Sequence, residues 1–124
     1  MTLITVQLDW TYEHYLTYVL FIVAGVDSLI SSEELDEIEK IIVSENTSSL
    51  SYQKIKEDVS SIISLQKTAL EQKNFIKTHK NVFLDSEDKK DHILSCIEDV
   101  IASDLSINPN ELLTFREIKI IISK

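Results

Sequence analysis

One glycine, one proline and one cysteine are spread over 124 residues, and each shortage removes a class of structure. A single glycine cannot build a phosphate-cradling loop or the sharp turn around a nucleophilic serine, because both need several residues without a Cβ. A single cysteine, Cys96, excludes an internal disulfide and a cluster of thiolate metal ligands, and it fits a reducing, cytoplasmic setting. Positive charge is also scarce: 12 Lys and Arg against 21 Asp and Glu give a net charge of −9. Such a field repels nucleic-acid phosphates. The one lysine-rich run, Lys73, Lys77, His79, Lys80, Lys89 and Lys90, is interrupted by Glu71, Asp85, Glu87 and Asp88, so nucleic acid is not an expected partner.

Long apolar runs are missing too. Tyr15 to Val26 is apolar over twelve residues, well short of the roughly 20 that cross a bilayer. The segment before it carries Asp9 and Glu13 and no Lys or Arg, which is not the positive flank of a signal peptide. We read it as a buried central helix, with no transmembrane segment expected, and Asn46-Thr47-Ser48 as a polar loop rather than a glycosylation site.

What is present is the balance of a globular chain, 44% hydrophobic and 27% charged, of a size for one domain over residues 1–124. With so few breakers, Leu, Ile, Glu, Lys, Ser and Asp favour helices. Asp9 is a candidate N-cap for a helix to about Val26, with Leu16, Leu20 and Val23 on one face and Tyr12, Tyr15, Val19 and Ile22 widening it. Ser31 and Glu34 have capping-box spacing and open a second helix to about Ser44, with Leu35, Ile38, Ile41 and Ile42 inward. Ile55, Val59, Ile62 and Ile63, then Ala69, Leu70, Phe75 and Ile76, fit either one bent helix or two. "NVFLD" reads as irregular. Asp85 or Ser86 would cap a helix carrying Ile93, Leu94, Ile97, Val100 and Ile101, and Asn108, Pro109 and Glu111 open a last one.

The chain repeats itself once. An offset of 77 residues lays Leu16 on Ile93, Leu20 on Ile97, Val23 on Val100, Asp27 on Asp104, Ile30 on Ile107 and Glu34 on Glu111. Two helix hairpins with the same Asp-Ile-Glu corner, joined by a middle helical segment, predict an all-α single-domain bundle of about 5–7 helices. The corner has the spacing of positions five, eight and twelve of a calcium loop, yet Val23, Gly25, Val100 and Ala102 stand where that loop needs oxygen ligands. The spacing therefore predicts capping carboxylates, and the remaining alternative is a weaker cation site built on Asp27, Glu34, Asp104 and Glu111.

Other chemistry is thin. His14, His79 and His92 are not at i, i+4 spacing with one another, so the helical pair of a zinc site is missing and each reads as a surface or boundary residue. Glu13 beside His14, and Glu98 beside Asp99, read as solvated faces. Trp10, Tyr12, Tyr15 and Tyr18 at helical spacing read as core. No catalytic residues are assigned and no enzymatic activity is expected.

The words "FIVAGVDSLISSEELDEIEKII" and "VIASDLSINPNELLTFREI" resemble the TerB-like family of bacterial tellurite-resistance domains, whose apolar-Ala-x-x-Asp-Gly-x-Ile-x-x-x-Glu pattern occurs twice. Ser28 and Leu105 replace the family glycine, a departure that weakens a metal role, and the two hairpins span a little over half of the chain. The resemblance implies a non-catalytic helical module of bacterial stress response, cytoplasmic, with a protein partner that is basic or membrane-associated. It makes Asp27, Glu34, Asp104 and Glu111 the candidate metal ligands and a divalent cation the one cofactor in view. From charge alone, Asp27 to Glu45 contributes −6 of the −9, and Glu33, Asp36, Glu37 and Glu39 form a candidate partner-binding face. The alternatives are a metal-responsive sensor at the corners, and an immunity protein that neutralises a basic toxin. A monomer or a homodimer burying excess aromatic surface of the first helix is expected.

Overall fold

The helix that is apolar on every side sits in the middle, because only there can all of its faces leave water. In the computed structural model, which describes residues 10–25, 30–45, 50–103 and 109–124, the elements are α1 (Tyr12–Ala24), α2 (Ser32–Glu45), α3 (Tyr52–Leu65), α4 (Ala69–Phe83), α5 (Glu87–Ser103) and α6 (Pro109–Ser123). No strand occurs among the described residues, and the fold is an all-α bundle. Helix α1 packs against all five others, and every residue from Glu13 to Ala24 is buried. Its fully buried Leu16 and Leu20 each contribute about 1.5–3 kcal/mol of burial free energy. Of the aromatic residues of α1, Tyr15, Tyr18 and Phe21 are buried and Tyr12 is half-buried.

The repeat is visible in three dimensions. Hairpin α1–α2 and hairpin α5–α6 each pack internally, and α5 lies against both α1 and α2. The 77-residue offset carries Ser32 onto Pro109, the first residues of α2 and α6. It also matches buried Leu16 with Ile93, Leu20 with Ile97, Val23 with Val100 and Glu34 with Glu111. The middle segment supplies one cover for each hairpin: α3 packs on α1 and α2, and α4 on α1 and α6. No helix of the described residues is long and apolar enough to cross a membrane.

Several local expectations change. The N-cap of α1 is Thr11, not Asp9, which lies outside the described residues: Thr11 Oγ1 accepts from the His14 amide at 3.4 Å, while the Thr11 amide donates to His14 Nδ1 at 3.1 Å. This is a capping box in which an imidazole replaces the usual carboxylate. Residues 52–83 form two helices, because the chain is extended at Gln66 and Thr68. Thr68 Oγ1 then caps α4 by accepting from the Glu71 amide at 3.1 Å, and Glu71 Oε2 accepts from the Lys67 amide at 3.3 Å. The break is tied inward where the Tyr18 hydroxyl donates to Gln66 Oε1 at 2.5 Å. Most of "NVFLD" is not irregular either: α4 continues through Phe83, since Phe83 and Leu84 are buried and the helix must run on to deliver them.

The single glycine has a local reason. Gly25 ends α1 with its amide donating to Phe21 O at 2.8 Å, and a Cβ at this position would lie 2.9 Å from the same carbonyl oxygen. Any other residue would force the turn to shift.

Candidate functional site

At the first corner, Ser31 Oγ accepts from the Glu34 amide at 3.1 Å, and Glu34 Oε1 accepts from the Ser31 amide at 3.3 Å and the Ser31 hydroxyl at 3.1 Å. This is the reciprocal cap that the spacing implies, and it draws the carboxylate into the bundle, where Glu34 is 1% exposed. The other oxygen, Oε2, is buried with no hydrogen-bond partner among the described residues. Glu111 occupies the matching position in α6 and is buried as well. Asp27 and Asp104, the other two candidate ligands, lie outside the described residues, as do Ile107, Asn108 and the Asn46 sequon.

The acidic face is well defined. Ile38, Ile41 and Ile42 turn α2 inward, which leaves Glu33, Asp36 and Glu39 exposed and Glu37 half-buried. None of the four has an ion-pair partner among the described residues, although Lys40 stands beside Glu39 in sequence. Some surface acids elsewhere are ion-paired: Asp58 meets Lys54 at 2.9 Å, Glu117 meets Lys73 at 2.7 Å and Asp85 meets Lys89 at 3.1 Å. At its C-terminal end the acidic helix also borders a shallow depression formed with Lys40, Val43 and Ser44.

A larger cleft of about 990 Å³ opens between the end of α1, the α3–α4 junction and the start of α6. Its floor is Phe21, Ile22, Leu35 and Ile63, and its rim carries Lys56, Lys67 and the Lys73–Glu117 pair. No histidine or cysteine lines it among the described residues.

The histidines depart most from expectation. His14 is not a boundary residue: it is fully buried, donates from Nε2 to Asp58 Oδ2 at 3.0 Å and stacks on Trp10 at 5.5 Å between ring centres. Glu13 beside it is buried too, not solvated. Asp58 is held below the ordinary carboxylate range, first by the hydrogen bond from Lys54 and then by that from His14. Glu98 and Asp99 are exposed as expected.

His92 is exposed, as expected of a surface residue, but it is not isolated. Its Nε2 lies 2.6 Å from Glu45 Oε1 and 3.4 Å from Cys96 Sγ. Glu45 is the last residue of α2, and His92 and Cys96 sit one turn apart on α5, so the packing of the two helices assembles the trio. Their three ligand atoms all lie within 4.8 Å of one another. Burial, followed by the charges of Glu45, Asp99 and Glu37, pushes the Cys96 thiol up to about 12. The signal in the sequence is His92-x-x-x-Cys96, an i, i+4 pair of different ligand types on one helix. Glu45 has no sequence signal at all, since it reaches the trio only through packing of α2 on α5.

No protein-family model, curated protein or solved structure matches this chain.

Proposed function

We propose that the chain is a non-enzymatic helical interaction module that docks a basic protein partner through the outer face of α2. The observation that carries this reading is the contrast on one helix: Ile38, Ile41 and Ile42 are committed to the core, while Glu33, Asp36, Glu37 and Glu39 have no counter-cation among the described residues. Unpaired like charges repel one another, and a basic surface relieves that repulsion while steering encounter. The resemblance of both corners to TerB-like domains of bacterial tellurite resistance and stress response supports an adaptor role. Pull-down from a bacterial lysate with Glu33, Asp36, Glu37 and Glu39 changed together to lysine tests it. The partners of the unaltered chain should be lost, and an unchanged set of partners refutes the docking face.

A second reading, a metal-responsive corner, draws on one observation, the buried and unpartnered Oε2 of Glu34. Buried carboxylate oxygens are normally hydrogen-bonded or bound to a cation. A calcium or magnesium titration followed by thermal melting decides it: a rise at millimolar ion that disappears in Glu34→Gln supports the corner, and no rise removes it.

A further inference from the structure

Three heteroatoms of different chemistry converge at the seam between α2 and α5, all within 4.8 Å of one another. His92 Nε2 faces Glu45 Oε1 at 2.6 Å and Cys96 Sγ at 3.4 Å. A neutral imidazole nitrogen carries either one hydrogen or one lone pair. If Nε2 donates to Glu45, Cys96 Sγ is at most a weak acceptor of the same hydrogen; if it accepts from the thiol, its lone pair faces the carboxylate. A cation that takes a lone pair from each atom uses all three as ligands.

We propose that Glu45, His92 and Cys96 form a three-ligand site for a borderline-soft divalent transition ion, zinc or its cobalt surrogate, with a fourth position open to solvent. The donor set is the kind that selects such ions, since thiolate and imidazole disfavour magnesium and calcium. The distances fit: ordinary zinc bond lengths in a tetrahedron place nitrogen and sulfur ligands about 3.6 Å apart, and nitrogen and oxygen ligands about 3.3 Å apart. The observed sulfur–nitrogen distance of 3.4 Å is already close, and only the carboxylate must retreat. Glu45 can do so because its side chain is 30% exposed, and the 43% exposure of His92 gives the ion a route in from solvent.

The surroundings suit a cation. Glu37 and Asp99 lie near enough to act on the Cys96 thiol, so the field there is negative. Tyr12 is acted on by both Cys96 and Glu45, and its hydroxyl is buried with no hydrogen-bond partner among the described residues. It is the available donor for a water or anion on the open position. Lys89, paired with Asp85, stands over the Tyr12 ring at 5.7 Å. On binding, the Cys96 S–H bond breaks, its proton passes to solvent and the sulfur–metal bond forms. The ion then clamps the last residue of the acidic helix to α5. This does not depend on the docking reading above, because the site uses none of Glu33, Asp36, Glu37 or Glu39 as ligands.

Cobalt titration of the full chain, stripped with EDTA, tests the site. Because Cys96 is the only cysteine, a sulfur-to-cobalt charge-transfer band in the near ultraviolet reports this site and not the corner acids. One cobalt per chain should bind with that band, and zinc should displace it. Cys96→Ser should abolish the band, and His92→Ala should weaken cobalt binding at least ~100-fold, since even removal of an outer hydrogen-bonding partner costs 10–100-fold. His79→Ala should change nothing. His92 is exposed, so its variant remains informative even if Cys96→Ser fails to fold. Absence of the band in excess cobalt, or a His92→Ala chain that binds as tightly as the unaltered one, overturns the proposal.

Discussion

Two histidine–carboxylate pairs occur among the described residues, and they differ in how completely their atoms are used. His14 accepts at Nδ1 from Thr11, donates at Nε2 to Asp58 and is sealed by Trp10. Asp58 spends its second oxygen on Lys54. Each polar atom of that group has a partner, which is how a buried polar network contributes stability and leaves nothing over for a ligand. His92 offers one nitrogen to two neighbours, Glu45 and Cys96, and stays open to water. Similar residue types thus build a structural joint in one place and a set of converging lone pairs in the other. Satisfaction of hydrogen bonds, not residue identity, separates them.

Replacing the buried member should produce the largest effect. His14→Ala removes a fully buried ring together with its bond to Asp58 and should lower stability by about 3 kcal/mol, read by urea unfolding. A loss under about 1 kcal/mol would mean the joint is not structural. Thr11→Ala removes the N-cap that fixes the same ring and should cost about 1 kcal/mol.

Asp58→Asn tests the charge in the joint. The folded carboxyl lies below its ordinary value, so the unfolded chain binds the proton more readily. The Asp58 contribution is therefore complete above roughly pH 4, near the unfolded value, and is lost as pH falls through the folded one. Thermal melts of Asp58→Asn and the unaltered chain should differ at pH 6 and converge on acidification; a gap that widens in acid contradicts the assignment. The smallest effect belongs to the open pair: without metal, His92→Ala should change stability by no more than about 0.5 kcal/mol. A larger loss would make His92 a structural residue like His14, and the contrast would fail.

Much of the architecture was legible because it rests on local periodicity. The apolar run of α1, the stripe on α2, the Ser31–Glu34 cap and the 77-residue echo between hairpins all appear in the folded chain. The break between α3 and α4 has a sequence signal too: Thr68-x-x-Glu71 is a helix-start spacing that needs neither glycine nor proline. Asp9 lost to Thr11 as the cap of α1 because an imidazole served where a carboxylate was expected. Of the expected acidic face of α2, Glu33, Asp36 and Glu39 are exposed opposite the apolar stripe, while Glu37 is half-buried.

Helical class, the Ser31–Glu34 cap and the acidic exterior of α2 follow from patterns within about four residues, where propensity, capping and amphipathicity act. Which polar residues lie inside does not follow from those patterns. His14 meets Asp58 across 44 positions, and His92 meets Glu45 across 47. Such pairings exist only once α1 has settled against α3 and α2 against α5. Local rules say which face of a helix is apolar, but the partners of a buried polar atom are set by the neighbouring helix, and that is a property of the packed bundle alone.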